Sequence, residues 1–354
     1  MIKKIPYAAF KAGPALNEHG QIILAVLSLG TVGGCFSDPG SSPGGYSEES
    51  GGSEESGGSG ESEGSGESEG SGESEGSGGS EDSEGSEDSG ESEDLALQIA
   101  AGARFSCAIL SSTEIQCWGA DNYLQVSDAP EGAGWVSISA GANHACAVRQ
   151  GGEIQCWGLN SYGQTLPPEV EGVQRLSSGN SNTCALLLTG EIQCWGNNTE
   201  GQSLPPQGGD FKDMAVGGEH GCAIRGDDSI LCWGYEISGE VSDPPLNAQS
   251  LGLGIYLSCA VRQGGELDCW GSNSYGQSSP PVGEFLQVDG GWGGHACGLK
   301  ADGEIECWGL NNYGQTNAPS GEFVEISVGE THACAILPGG GYECWGSNLD
   351  GQLG

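Results

Sequence analysis

The chain has 354 residues, and its 49 acidic side chains against 10 basic ones leave a formal net charge of −39. That balance argues against a phosphate-backbone partner, which such a surface repels rather than steers. Its 15 cysteines suit an oxidising compartment, where disulfides persist.

Residues 1–34 carry Lys3, Lys4 and Lys11, then an apolar run from Ile22 to Val32, then small residues. A run of about 11 residues is far short of the roughly 20 that cross a bilayer as a helix, so a removable export signal is expected rather than a retained span. Val32-Gly33-Gly34-Cys35 resembles the lipobox of bacterial lipoproteins. The resemblance implies lipid attachment at Cys35 and accounts for the one cysteine outside the pairs described below; a plain signal peptide with an incidental cysteine is the alternative. Residues 36–94 are almost entirely Ser, Gly, Glu and Asp, with Glu-Ser-Glu-Gly-Ser-Gly repeated three times from Glu61. Too little apolar surface is present to offset the entropy of ordering, so this segment is expected to be a disordered, self-repelling tether. A tail for cations or a cationic partner is its sharper alternative.

Residues 95–354 form the third piece, long enough for one large domain and itself bearing 29 acidic and seven basic residues, a net charge of −22. Fourteen cysteines fall here in seven pairs, each ending in Cys-Trp-Gly: Cys107/Cys117, Cys146/Cys156, Cys184/Cys194, Cys222/Cys232, Cys259/Cys269, Cys297/Cys307 and Cys334/Cys344. First cysteines recur at steps of 39, 38, 38, 37, 38 and 37 residues, a period that marks a propeller or solenoid. Within one repeat, Phe323–Val328 alternates as strand A, His332–Leu337 forms strand B and Tyr342–Gly346 strand C, and a strand D is expected after the Gly-Gln that follows. Placing Cys146 opposite Cys156 leaves the loop Gln150-Gly151-Gly152 and sets Arg149 against Glu153, Arg262 against Glu266 and Lys300 against Glu304. Directly opposed cysteines come near bonding range, so disulfides within each repeat are expected, with free buried thiols as the alternative.

The pattern Gly-x-x-His-x-Cys-Ala-(Val/Ile), then Cys-Trp-Gly-x-Asn-x-x-Gly-Gln, as in Gly141–Val148 and Cys156–Gln164, resembles the regulator of chromosome condensation repeat family. The resemblance implies an all-β, seven-bladed propeller closed by strands from both termini in one blade, so that Leu95–Ala101 would meet Gly351–Gly354; a flat β-solenoid is the runner-up. Two repeats depart from the motif, at Asp121–Gln125 and at Tyr235–Glu240. The family's exchange of guanine nucleotide on a nuclear GTPase and its binding to chromatin do not carry over to an exported acidic chain.

No catalytic residue, cofactor or metal is expected. His144, His220, His295 and His332 share a position that other repeats fill with Phe105, Asn182 and Leu257, which is packing or capping rather than a ligand set. The Cys-Trp-Gly tryptophans and Trp135 are expected in the core. One face should carry the A–B turns and C–D loops. Against mostly small or polar turns there, Tyr235, Ile237, Ile255, Tyr256, Leu257 and Trp292 stand out as an apolar patch across repeats 4 to 6. The expectation is a monomeric, non-catalytic binding module for a protein or glycan, exported and anchored to the bacterial envelope at the outer membrane or cell surface, touching membrane only through its lipid. An extracellular enzyme with a site in the central channel and a structural envelope-attachment protein are the alternatives.

Overall fold

The computed structural model describes residues 95–242, 244–245 and 247–354; the signal segment, Cys35 and the acidic linker lie outside the described residues. Those described form seven antiparallel sheets of three strands each, every sheet made of consecutive strands. Blade 2 is typical, with Trp135–Ala140 as inner strand, His144–Arg149 in the middle and Ile154–Gly158 outermost. Neighbouring blades touch mainly through their inner strands.

The inner strand starts with a register shift in six blades, between Trp135 and Ser137 in blade 2. The extra residue turns both Trp135 and Ile138 into the core, while Ser137 and Ser139, on the opposite pleat, face the central channel. Seven apolar clusters fill the seven spaces between blades. The first joins Phe105 and Ile109 of blade 1 to Trp135 and Ile138 of blade 2, and another joins Ile99 and Leu110 of blade 1 to Ile336 of blade 7. The ring is therefore closed.

No fourth strand follows the Gly-Gln loops among the described residues. Prolines stand at that place in the first six repeats: Pro130, Pro167-Pro168, Pro205-Pro206, Pro244-Pro245, Pro280-Pro281 and Pro319. Proline has no N–H to donate to a ladder, so the segment runs along the outer strand without pairing to it. Closure by strand exchange is likewise absent: blade 1 is built wholly from residues 96–119. Its first residue is held by blade 7, Ala96 N–H donating to Gly340 O at 2.6 Å. The last residues instead meet the outer strand of blade 1, where Trp118 Nε1–H donates to Gln352 O at 3.0 Å.

That last bond belongs to a set of seven. Each Cys-Trp-Gly indole donates to the backbone carbonyl closing the preceding repeat's loop: Trp157 to Gln125, Trp195 to Gln164, Trp233 to Gln202, Trp270 to Glu240, Trp308 to Gln277 and Trp345 to Gln315, at 2.7–3.0 Å. The tryptophans thus fasten blade to blade besides filling space; Trp118, Trp270 and Trp308 are only half-buried.

Cysteines pair directly across the middle and outer strands, Cys146 opposite Cys156 and likewise in all seven blades. All seven pairs are disulfides with Cα–Cα distances of 4.0–4.1 Å: Cys107–Cys117, Cys146–Cys156, Cys184–Cys194, Cys222–Cys232, Cys259–Cys269, Cys297–Cys307 and Cys334–Cys344. Burial is unequal across each bond. The middle-strand member is fully buried, whereas Cys117, Cys156, Cys194, Cys232, Cys269, Cys307 and Cys344 are only half-buried, because no fourth strand pairs beyond the outer one. The alternative of free buried thiols therefore fails twice, on the bonds and on the burial of the outer cysteine. Lying midway along their strands, these outer cysteines staple the scaffold and take no part in the turns and loops at either end.

The turn register is the expected one, with Arg149 N–H donating to Glu153 O at 2.9 Å. The side chains ignore it. Arg262 pairs with Asp268, Lys300 with Glu306 at 2.6 Å, and Arg149 lies over the Trp135 ring at 4.5 Å. Long side chains reach the diagonal neighbour as readily as the opposed one, so the charge pairs inferred from sequence name the directly opposed residue where the side chain takes the diagonal one, even though the register is right.

Candidate binding face

One end of the ring carries the turns between inner and middle strands. Gly102, Gly141, Gly179, Gly217, Gly254, Gly291 and Gly329 circle the channel mouth there. A Cβ on each would lie 2.3–2.8 Å from the carbonyl oxygen of the next, Gly329 against Gly102 included. Only glycine permits that approach, so the channel mouth is a tight backbone ring. Repeat 6 keeps its member at Gly291 and inserts one residue after it, which places Trp292 in the turn, half-buried.

Beneath this ring lie the histidines, fully buried between blades. His144 Nε2 is 2.8 Å from Thr183 Oγ1, His220 Nε2 2.9 Å from Ser258 Oγ and His332 Nε2 2.9 Å from Ser106 Oγ, in each case a hydroxyl of the following blade. Ser106 and Ser258 donate onward to Gln352 O and Glu240 O, so the imidazole is the donor and carries its proton on Nε2. Burial holds these rings neutral, pushing His144 and His332 down to about 4 and His220 to about 3. Where the next blade offers Ala145, Gly221 or Ala296 in place of the hydroxyl, the ring's place is taken by Phe105, Asn182 or Leu257. His295 breaks the rule: it faces Ala333, and neither ring nitrogen has a hydrogen-bond partner.

The channel wall consists of inner-strand side chains that bond the next blade's backbone. Gln98 accepts from Ile138 N–H, Ser139 from Ser178, Ser177 from Val216, Gln287 from Ile326, Asp289 from Val328, and Glu325 from Ile99, at 2.8–3.3 Å. Burial raises Asp289 to about 6 and Glu325 to about 7, against the pull of these N–H donors and the Arg175 charge. Asp213, also raised by burial, pairs with Arg175 at 2.5 Å. Carboxylates here occupy the same bridging position that Ser and Gln fill in other blades, which accounts for them structurally.

The loop after each Cys-Trp-Gly lies on the glycine-ring face and is held from inside. Gln125, Gln164, Gln202, Gln277, Gln315 and Gln352 are buried, and each accepts through Oε1 the N–H two residues before it, at 2.8–2.9 Å. In repeat 4 Glu240 does the same, taking Ile237 and Ser238 N–H on its two oxygens at 3.0 and 2.7 Å. Asp121 substitutes for the motif's Asn in repeat 1, accepting from Val126 at 2.8 Å and Ser127 at 3.1 Å. Leu124 takes the glycine place there with φ 63°. Both departures from the motif therefore preserve the loop.

Of the apolar patch expected on this face, Ile237 is 61% exposed, and Tyr235, Ile255, Tyr256 and Trp292 are half-buried. Ile255 lies down over Gly218 of blade 4. Leu257 does not belong to the patch. It is 2% exposed in the core between blades 5 and 6, because it opens the middle strand at the place of the histidines. Sequence inspection passed over another set, Tyr123, Tyr162, Tyr275 and Tyr313, which sit at one loop position in repeats 1, 2, 5 and 6 and are 46–57% exposed. Their recurrence two residues before the clamping Gln was the available signal.

Four of the seven repeats match the family model of the regulator of chromosome condensation (RCC1) repeat, at residues 135–164, 173–202, 250–277 and 285–315. Those four repeats of the seven-bladed propeller are thus of the RCC1-repeat type. A comparison with curated proteins returns no match. Among solved structures it resembles the ectodomain of the Physcomitrella patens receptor kinase CR4, with TM-score 0.61 and 24% identity over 72% of this chain and 74% of that one. The CRINKLY ectodomain of the Arabidopsis thaliana receptor kinase ACR4 gives TM-score 0.60 and 24% identity over 72% and 99%. Saccharomyces cerevisiae Prp20p, described together with its binding to Gsp1p and histones, gives TM-score 0.55 and 16% identity over 70% and 81%. At these identities the likeness speaks for the fold alone.

Proposed function

We propose that the protein is an exported, non-catalytic binding module, held at the bacterial envelope by a lipid on Cys35 and an acidic tether, that engages a protein or glycan through the glycine-ring face. One observation carries the reading: Ile237 is exposed and Tyr235, Ile255, Tyr256 and Trp292 half-exposed, the first two on a loop fixed by buried Glu240 and the others on turns closed by the backbone bonds Gly254 N–H to Leu257 O and Gly291 N–H to His295 O. Apolar and aromatic groups on a rigid frame lose little entropy when a partner covers them, which is how binding hot spots arise. The paired cysteines agree with an exported protein. A Trp292→Ala, Ile237→Ala variant should lose a partner captured from envelope extracts while keeping its melting temperature. If it melts several degrees lower and still captures the partner, these side chains are core and the reading fails. Changing Cys35 to Ala should release the protein from the detergent phase or leave an unprocessed precursor.

A channel enzyme is the second reading, favoured by Glu325, an inner-strand carboxyl that burial pushes up to about 7, a value suited to acid–base work. Glu325→Gln should keep the fold, as the bridging role of Gln287 implies; hydrolysis of envelope glycans by the native chain that this variant loses would favour the enzyme, and no turnover by the native chain would count against it.

A further inference from the structure

The two ends of the propeller differ in charge and in aromatic content. Of the domain's seven basic residues, Arg149, Arg225, Arg262 and Lys300 lie at the turns of the opposite end, Lys212 pairs with Asp228 there, and Arg175 is in the channel. Arg104 alone stands on the glycine-ring face, and it is bound to Asp350 at 3.6 Å. The loop position two residues before the clamping Gln or Glu reads, around that face, Tyr123, Tyr162, Glu200, Ser238, Tyr275, Tyr313 and Asp350. Two tyrosine pairs are thus separated by Glu200 and Ser238 on one side and by Asp350 on the other. The backbone N–H at each place is taken by the clamp, so the side chain is free to serve the surface. Tyr275 leans across to blade 6, over Gly294, and remains 57% exposed. Asp121, Glu219, Glu236 and Glu330 add negative charge on the same face, with no second cation to answer them.

From this arrangement we infer that the face receives a cationic protein segment, its Arg or Lys side chains laid on the tyrosine rings and paired to the flanking carboxylates. The inference rests on the binding reading above and names its partner's chemistry. Aromatic faces attract guanidinium and ammonium groups through their quadrupole. Complementary charge would further raise the rate of encounter, and an anionic partner would meet a field of the wrong sign.

The test must separate this face from the acidic tether, which attracts any polycation. Tyrosine replacements do so, because they alter no charge. Binding of nona-arginine to the full-length protein is measured by calorimetry in 150 mM salt, for the native chain and for Y123A/Y162A/Y275A/Y313A, after circular dichroism and melting temperature show that the fold is intact. The variant should bind at least tenfold more weakly, the corresponding Tyr→Phe variant close to normally, and D227N/D302N on the opposite end normally. Equal affinity of the Tyr→Ala variant and the native chain would overturn the inference. Neutral oligosaccharides such as chitohexaose are titrated in parallel. If they bind and the Tyr→Ala variant loses them while nona-arginine is unaffected, the face is a glycan site; the binding reading survives and the cationic partner does not. If neither ligand responds to the tyrosines and the envelope partner of the previous test is also retained, both fail.

Discussion

Replacing Ala333 by Ser should stabilise the propeller, and by a calculable amount. Ala333 is buried opposite Trp345 on the outer strand, the register that Ser106, Thr183 and Ser258 occupy opposite Trp118, Trp195 and Trp270. A hydroxyl fits beside the indole in those three blades, so the site has room for one oxygen. Its proton would find Gln315 O, the counterpart of Gln352 O and Glu240 O, and the oxygen would accept from His295 Nε2, which now has no partner. Satisfying a buried donor returns about 0.5–1.5 kcal/mol net of the lost water bonds. At about 2–4 °C per kcal/mol for a domain of this size, the melting temperature should rise by a few degrees in scanning calorimetry with disulfides intact. The mirror experiment is Ser106→Ala, which strands His332 and should cost about 1–3 kcal/mol. His295→Leu, copying the Leu257 and Ala296 pairing of blade 5, should also stabilise, and combining it with Ala333→Ser should forfeit most of the gain because the new hydroxyl loses its donor. A lower or unchanged melting temperature for Ala333→Ser alone would refute the hydroxyl rule.

Acidification should destabilise the domain. A buried histidine whose folded pKa lies below 6.5 binds fewer protons than its unfolded form, so its contribution is present above 6.5 and is lost as pH falls from there toward 3 or 4. At pH 5 each of the four loses about 2 kcal/mol at 1.36 kcal/mol per pH unit. Asp289 and Glu325, raised to about 6 and about 7, act in the opposite sense and offset part of the loss; urea midpoints at pH 7.5 and 5.0 measure the balance, and a higher midpoint at pH 5.0 would count against buried neutral histidines. Gly179→Ala should lower stability by about 1–3 kcal/mol or more, since its Cβ would meet Gly217 O at 2.3 Å and Asn182 Oδ1 at 2.7 Å. Gly151→Ala, with nothing within 4 Å of the new Cβ, is the control that should be neutral by thermal melting.

Period and spacing alone determined the number of repeats, the order of the first three strands in each and the register that unites Cys146 with Cys156, because each of these is set by local chain geometry repeated seven times. The half-burial of Cys117, Cys232, Cys269, Cys307 and Cys344 was not legible, since it depends on whether a fourth strand covers the outer one. The glycine five residues before most first cysteines was visible as a regularity, as was the histidine position, yet neither disclosed its reason. That reason lies between blades: the Gly179 Cβ is forbidden by Gly217, and His144 is held neutral by burial between blades 2 and 3, with Thr183 of the next blade accepting a hydrogen bond from its Nε2–H. Contacts between residues some 38 apart appear only when the ring is closed. The same distinction governs the candidate face. Leu257 has the composition of a surface aliphatic in an irregular turn, and only its place at the head of a middle strand consigns it to the core. Tyr275 looks like any loop tyrosine until the buried Gln277 is seen to hold the loop from within, leaving the ring outside with no structural work. Missing fourth strands follow from prolines legible in every linker, but without neighbours it could not be judged whether a proline ended a strand or began one. Sequence thus decides what each blade is; the partners of its side chains are decided by which blade comes next.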